Sequence, residues 1–180
     1  ACGAHAGHAI DRIDPRRGRF DHVAVDIGGE DFQVPTRCSR HRFGDYAVGE
    51  KIDHVDGMTV EEAEHQIATR LYQNTARVHF DAFAGKDTRF GRRLAYGGHV
   101  ISLARALSFN GLANGFRVAA INAGSHVAPT FGGDTIYAWS EVLEKASLPD
   151  RADVGALRMR SIAAKDCPCD VWPGKGPDGK

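Results

Sequence analysis

The sequence predicts an α+β domain in which an antiparallel sheet wraps around one central apolar helix. The first observation is the segment HVISLARALSF, which follows a Gly-Gly pair and carries apolar side chains on nearly every face. A helix without a polar face must be buried. The second observation is that the later segments alternate apolar and polar residues, which is typical of strands. One buried helix followed only by strands needs a sheet to cover it.

An arm and one helix are predicted over residues 1–71. Residues 1–43 mix short apolar patches with Gly, Pro and Arg and show no helical period, so they are interpreted as an arm with room for one strand. DYAVGEKIDH then predicts an entry strand or turn. Thr59 and Glu62 have the spacing of a capping box. This predicts a helix over 60–71 whose first turn engages the Glu62 side chain as a cap.

The rest of the chain contains a loop, the apolar helix and the strands. A long polar loop is predicted over 80–94, and the central helix over 98–109 with Asn110-Gly111 as its C-cap. Candidate strands lie in FRVAAINAGSHVAP, TIYAWSEVLEKAS and VGALRMRSIAA. We therefore expect one domain over 44–170 and a C-terminal loop over 171–180.

Composition limits both the size of the core and the partners. The 180 residues are 42% hydrophobic, which suffices for one ordinary core. Lys plus Arg and Asp plus Glu number 23 each, so no overall charge attracts nucleic acid or a membrane. The chain shows neither a membrane-span run nor a signal-peptide pattern, and a cytoplasmic location is expected. Because it begins without Met and ends in GKGPDGK, we expect a piece of a longer protein.

The four cysteines do not predict a metal site. Cys38 and His41 could join Cys167 and Cys169 as zinc ligands, but the spacing matches no common zinc motif. Free thiols are the simpler interpretation for a cytosolic protein, and no metal is expected.

The stretch before the central helix holds the residues that predict chemistry. Asn74 and His79 precede Gly97 and Gly98, which open the helix. A histidine transfers protons near neutral pH. Free N–H groups at the start of a buried helix can bind the charge that develops on a carbonyl oxygen. The pattern favours chemistry on an acyl group, although His79 could equally be a structural histidine at a strand–loop junction.

These residues stand at the spacing of a known motif, G-D-x-N-P-[hydrophobic]-H-x-D followed by F-G and A-H-G. When His79 is placed on the motif histidine, four further positions fall on the motif without a gap: Asp81, Phe90, Gly91 and Gly97. The chain thus resembles the MaoC-like, or hydratase 2, branch of the hot-dog enoyl-CoA hydratases. Two of its differences from that motif concern residues with a named role or place in the family. Asn74 replaces the catalytic aspartate, and Tyr96 replaces the histidine of A-H-G.

Longer blocks narrow the resemblance. GMTVEEAEHQIATRLYQNTARVHF and the segment from FGRRLAYGGH to TIYAWSEV resemble the C-terminal hot-dog half of mesaconyl-CoA hydratases, also called β-methylmalyl-CoA dehydratases, over about 45–170. This resemblance implies the hot-dog fold and a hydro-lyase that reversibly hydrates a short, branched dicarboxylic enoyl-CoA. It implies an acyl-CoA substrate, a homodimer or a paired second hot-dog domain, and no cofactor, since CoA is part of the substrate.

The resemblance also implies roles for individual residues. His79, Asn74 and Asp81 are expected to be catalytic, with Gly97 and Gly98 as the oxyanion hole. In an extended segment Asp81 would face the same side as His79. Substrate binding is assigned to Tyr96 and to the loop arginines, whose forks suit the phosphates of CoA: Arg89, Arg92 and Arg93.

Asn74 leaves two classes of function open. Asparagine can orient a water but cannot accept a proton. The chain is then either a hydratase that uses a different carboxylate or one from a partner domain, or a non-catalytic half that binds acyl-CoA or mediates dimerisation. More distant candidate carboxylates are Glu61, Glu62 and Glu64.

Overall fold

The computed structural model describes the backbone of residues 19–27 and the whole of residues 41–168. Its sheet consists of β1 Arg19–Ile27, β2 Lys51–Thr59, β3 Gly115–Gly124, β4 Thr135–Leu148 and β5 Arg151–Lys165. The strands lie in the order β2-β4-β5-β1-β3, and each neighbouring pair is antiparallel. The predicted antiparallel sheet is therefore confirmed, and β1 supplies it with a strand from the N-terminal arm.

The helices of the described residues are mostly short. Besides a 3₁₀ turn at Phe43–Asp45, they are α1 Glu62–Leu71, α2 Arg77–Phe80, α3 Ala82–Gly85, α4 Gly97–Leu107 and α5 Phe109–Leu112. The predicted loop over 80–94 thus contains α3 and the end of α2. The central helix α4 ends at Leu107 rather than Phe109, and Gly111 lies inside the kinked turn α5 with a φ of 113°. That left-handed conformation suits glycine, which has no Cβ.

Helix α4 packs against the concave side of the sheet. Leu103, Ala104 and Leu107 are buried in one cluster with Val60 of the β2–α1 junction and with Ile136 and Ala138 of β4. The alternation predicted for β4 is observed, since Ile136, Ala138, Ser140 and Val142 are all buried. Each large apolar side chain buried in this way contributes about 1.5–3 kcal/mol.

The opposite face of α4 is open, so the prediction that this helix is buried on all sides is wrong for the chain alone. Ser102 and Ala106 are exposed. This face and the edge strand β3 line a cavity of about 580 Å³, formed by Ile101, Ser102, Arg105, Ala106, Phe109, Val118 and Ile121. β3 is exposed along almost its whole length, including Phe116 and Ile121.

The predicted capping box is also wrong. Helix α1 begins at Glu62, and its N-cap Glu61 makes no side-chain capping bond. Thr59 is the last residue of β2 and lies opposite Thr135 of β4, so its Oγ1 is 3.0 Å from Thr135 Oγ1. Glu62 forms an ion pair with Arg93 instead. Thr59 and Glu62, which would have formed the capping box, instead contact a neighbouring strand and a distant arginine.

A buried polar chain connects α5 and three strands. His54 Nδ1 lies 2.7 Å from the Asn110 carbonyl, and His54 Nε2 lies 2.8 Å from Ser140 Oγ. Ser140 Oγ is 2.8 Å from Ser161 Oγ. Since a carbonyl only accepts, His54 donates from Nδ1 and accepts at Nε2. Burial lowers the pKa of His54, which favours this neutral form.

Several predictions fall at the limits of the described residues. Cys2, Cys38, Cys169 and the C-terminal loop over 171–180 lie outside them. The domain boundary at 44 stays a prediction, and β1 lies before it. Within the described residues, no helix is long and apolar enough to cross a membrane, and no three His, Cys, Asp or Glu side chains are grouped to hold a metal ion.

Candidate active site

His79 lies in the short helix α2 and presents one free ring nitrogen. Its Nδ1 is 3.0 Å from the Leu94 carbonyl. The carbonyl can only accept, so Nδ1 carries the proton and Nε2 is the basic nitrogen. Nε2 has no hydrogen-bond partner in the part of the chain that the structure describes. A half-buried imidazole with a fixed tautomer and an open Nε2 can accept a proton from a water.

Tyr96 joins His79 to the start of the central helix. It is the N-cap of α4, and its ring centre lies 5.8 Å from that of His79. The same ring covers Gly98, because a Cβ on Gly98 would lie 2.5 Å from Tyr96 Cζ. His79 is therefore next to the glycine turn that sequence analysis predicted as the oxyanion hole.

Gly97 and Gly98 are the first two residues of α4. Among the described residues, neither N–H has a hydrogen-bond partner. A Cβ on Gly97 would lie 2.4 Å from His126 Nε2, so a side chain at either glycine would displace a neighbouring ring. Two free N–H groups at the N-terminus of a helix whose C-terminal half packs on the sheet have the geometry to bind a carbonyl oxygen.

Asn74 is held by its own turn. Its N–H donates to the Thr69 carbonyl at 2.8 Å, and its Oδ1 accepts from Ala76 N at 2.9 Å. Only the Nδ2 donors remain for a water or a substrate. The structure shows no direct hydrogen bond between the described Asn74 and His79, and the catalytic role of Asn74 stays a prediction.

Asp81 is occupied by local contacts. Its Oδ1 accepts from Ala84 N at 2.9 Å as the N-cap of α3, and its Oδ2 accepts from Arg77 at 2.8 Å. The hydrogen bond from Ala84 N, followed by that from Arg77, lowers the pKa of Asp81. The extended segment expected between His79 and Asp81 is wrong, because α2 ends at Phe80 and Asp81 turns into α3.

The loop arginines are not equivalent. Arg93 forms the ion pair with Glu62. The guanidinium Cζ atoms of Arg92 and Arg89 lie 3.9 Å and 4.6 Å from the ring centres of Phe131 and Phe90. Stacking on a ring leaves the edge N–H donors of a guanidinium free. Arg89 and Arg92 are exposed and keep donors for an anionic ligand.

The predicted helix α1 has a role that the sequence did not indicate, because it holds these parts together. His65 Nε2 accepts from Tyr96 N at 2.8 Å, and Gln66 Nε2 donates to the His79 carbonyl at 3.1 Å. A neutral imidazole accepts at one nitrogen only, so His65 carries its proton on Nδ1, and the 3.4 Å contact between Nδ1 and Gln66 Nε2 joins two donors. Neighbouring residues of α1 thus fix both His79 and the glycine turn.

Two further histidines surround the same turn. His99 is 8% exposed, and its ring centre lies 6.0 Å from that of His65. Burial, and then the neighbouring His99, lower the pKa of His65, and burial lowers that of His99. His126 is exposed and follows β3. The spacing of α1 could have indicated that His65 faces inward, but no local signal places His126 beside Gly97.

The chain has relatives among curated proteins. No protein-family model matches the chain. It is 57% identical over 157 residues to β-methylmalyl-CoA dehydratase of Chloroflexus aurantiacus, and 64% identical over 157 residues to mesaconyl-CoA hydratase of Cereibacter sphaeroides. Both matches cover 87% of this chain but only 45% and 42% of the relatives. The chain spans less than half the length of the curated relatives that it matches.

Solved structures show the same fold. A crystal structure described as a MaoC domain protein dehydratase from Chloroflexus aurantiacus superposes with a TM-score of 0.78 at 57% identity, covering 86% of this chain and 44% of that one. A monoamine oxidase regulatory protein from Archaeoglobus shares the fold at a TM-score of 0.51 and 24% identity. The chain has the hot-dog fold, as predicted, and is similar over most of its length to part of this MaoC domain protein. More narrowly, it is a homologue of one part of the β-methylmalyl-CoA dehydratases and mesaconyl-CoA hydratases.

Proposed function

We propose that the protein containing this chain reversibly hydrates mesaconyl-CoA to β-methylmalyl-CoA. The observation that carries the proposal is the 64% identity over 157 residues to mesaconyl-CoA hydratase. A match of 157 residues in a chain of 180 necessarily includes the whole stretch from Glu62 to His126, which contains the candidate active site. That the chain is the C-terminal half of such a protein remains part of the proposal.

In this mechanism His79 activates the water. Its Nε2 takes one water proton, and the water oxygen bonds to the β-carbon of the enoyl group. Electrons of the double bond move toward the thioester, whose oxygen is held by the N–H groups of Gly97 and Gly98. These proposed roles are supported by the fixed tautomer of His79 and by the two free N–H groups beside it. The tyrosine ring of Tyr96 closes the space between the base and the turn.

Asn74 and Asp81 have supporting roles in the proposal. Asn74 offers its Nδ2 donors to the attacking water or to the free carboxylate of the dicarboxylic acyl group, because an unpaired carboxylate in a closed pocket is costly. The carboxylate of Asp81 is bound to Ala84 and Arg77, so its contribution is to shape the α2–α3 turn that carries His79.

The phosphates of CoA are assigned to Arg89 and Arg92. Both are exposed and stacked on phenylalanine rings, which holds them in place while their donors stay available. Arg93 is assigned to positioning, since its partner Glu62 opens α1.

The partner in the proposal is a second hot-dog unit, from a paired domain or from a second copy. It would cover the open face of α4 and the edge strand β3, where Phe116 and Ile121 are 56% and 57% exposed. An uncovered edge strand with exposed apolar side chains is a pairing surface. We propose a cytoplasmic location, no resident cofactor, and neither nucleic acid nor membrane as a partner.

The alternative is a non-catalytic half that binds acyl-CoA or mediates dimerisation. Asn74 in place of a proton acceptor favours it, together with the local contacts of Asp81. The two candidates differ in their dependence on His79. A binding half needs the glycine turn and the arginines but not a basic nitrogen.

The test compares mesaconyl-CoA, crotonyl-CoA and a longer enoyl-CoA on the native polypeptide that contains this chain, following loss of enoyl absorbance. We expect the highest kcat/KM for mesaconyl-CoA. A His79→Ala variant should lose at least about a hundredfold in kcat while keeping its melting temperature. Higher kcat/KM for crotonyl-CoA or the longer chain refutes the dicarboxylate assignment, and near-normal turnover by folded His79→Ala favours the binding half.

A further inference from the structure

Hydration of an enoyl thioester needs two proton transfers. The water gives up one proton when its oxygen bonds to the β-carbon. The enolate that results must gain a proton at its α-carbon before the product is complete. His79 can carry out the first transfer, and the group that carries out the second must reach the α-carbon, which is bonded directly to the carbonyl carbon held at Gly97 and Gly98.

Two described acids near the turn, Asp81 and Glu62, are engaged elsewhere. Asp81 is bound to Ala84 and Arg77, and Glu62 to Arg93. Asn74 has no acidic proton to give at neutral pH. His65 holds the Tyr96 N–H at its Nε2, and His99 is buried with its pKa lowered by burial, so it carries no extra proton near neutral pH.

His126 has the position that these groups lack. The site that a Cβ on Gly97 would occupy lies 2.4 Å from His126 Nε2 and 2.5 Å from its Cε1. The imidazole edge, with Nε2 foremost, therefore lies directly over the first glycine of the oxyanion turn. The segment that carries His126 is tied to this turn by a hydrogen bond from Ala95 N to the Thr130 carbonyl at 2.7 Å.

The ring of His126 is also open to solvent. It is exposed, and neither ring nitrogen has a hydrogen-bond partner among residues 41–168. Both nitrogens can therefore contact a substrate or a water. His126 lies against Gly97 and His79 lies beside the ring of Tyr96, so two imidazoles border the Tyr96–Gly98 turn.

We infer that His126 is a second catalytic residue, the acid that protonates the α-carbon during hydration. This inference rests on the proposed function. The His79 Nε2 takes a proton from water, the oxygen bonds to the β-carbon, and the π electrons form the enolate bound at Gly97 and Gly98. The enolate then takes the Nε2 proton of the His126 imidazolium at its α-carbon. His79 releases its proton to solvent and His126 regains one, so protons and electrons balance over the cycle.

The position of His126 favours this role over binding the free carboxylate of the substrate. In mesaconyl-CoA that carboxylate is attached to the β-carbon, on the side where His79 delivers the water. His126 Nε2 lies instead against Gly97, where the proposed mechanism places the thioester oxygen and the neighbouring α-carbon. A carboxylate-binding residue would be needed for dicarboxylic substrates only, whereas an α-carbon acid is needed for every enoyl thioester.

The test uses His126→Gln in the native polypeptide, with His41→Gln as the matched control at an exposed histidine outside the candidate site. We expect His126→Gln to lower kcat by about a hundredfold or more for both mesaconyl-CoA and crotonyl-CoA, with an unchanged melting temperature. The alkaline limb of the kcat profile against pH should disappear, because the proton of the acid no longer limits the rate. In D₂O, exchange of the α-hydrogen of the hydrated product should slow by a similar factor.

The outcomes separate the inference from the function on which it rests. A wild-type protein that hydrates neither thioester refutes the proposed function and this inference together. An active wild type with an equally active His126→Gln refutes the inference alone. Loss that is confined to mesaconyl-CoA, with normal turnover of crotonyl-CoA, identifies His126 as a carboxylate-binding residue and also overturns it.

Discussion

Replacing His65 with Leu tests the helix that holds the candidate site together. His65 is 3% exposed, and its Nε2 accepts the Tyr96 N–H at 2.8 Å. Leucine fills a comparable volume without an acceptor. The Tyr96 N–H would then lose its partner at the N-cap of α4, immediately before Gly97.

The magnitude follows from the lost hydrogen bond. Leaving a buried donor unsatisfied costs about 1–3 kcal/mol. For a protein of this size, each kcal/mol lowers the melting temperature by about 2–4 °C, so the expected decrease is roughly 2–12 °C. Activity should fall as well, because the backbone of Tyr96 sets the direction of the next two N–H groups.

The assay combines thermal unfolding followed by circular dichroism with kcat for mesaconyl-CoA. His65→Gln restores an acceptor and should recover part of both losses, whereas Arg70→Ala on the exposed face of α1 should change neither by much. If His65→Leu melts and turns over like wild type, the Tyr96 N–H has another acceptor, and α1 does not position the site.

Three further predictions concern the turn, the open face and pH. Gly98→Ala places a Cβ 2.5 Å from Tyr96 Cζ. Because the ring can rotate away, the fold should stay intact while kcat falls about tenfold or more. Normal kinetics would refute the role of this turn. Ile121→Glu should dissociate the paired units in size-exclusion chromatography, whereas Val48→Glu, at a similarly exposed position, should not. If Ile121→Glu leaves the assembly unchanged, the partner binds elsewhere. The pKa values of His54, His65 and His99 are lowered in the folded chain. Stability should therefore fall as pH drops below about 6.5, because the unfolded chain binds protons that the folded chain excludes. A flat curve of stability against pH would contradict these lowered pKa values.

The sheet and the central helix were predictable because their patterns are repetitive. The alternation along β4 and the apolar run of α4 each repeat over many residues, and burial follows such repeats. The capping box failed for the opposite reason. It rests on two side chains, Thr59 and Glu62, and one contact for each, with Thr135 and Arg93, was enough to override it.

The candidate site was predictable only in part. His79 and the glycine turn stand in a recognisable motif, so their spacing indicated them. His65 and His126 act on residues some 30 positions away along the chain, His65 on Tyr96 and His126 on Gly97. Such long-range contacts depend on how helix α1 and the segment after β3 pack, which no local pattern encodes.

The buried chain of His54, Ser140 and Ser161 bears on how the polypeptide avoids wrong folds. Because side chains alternate across a strand, a slip of one residue between β4 and β5 would turn Arg158 and Arg160 toward the interior. The same slip would separate the two serine hydroxyls, which lie 2.8 Å apart in the native register. Apolar side chains tolerate approximate neighbours, whereas the two hydroxyls can pair in one alignment only. A misaligned sheet would lose this hydrogen bond, so the native register is favoured over the alternatives.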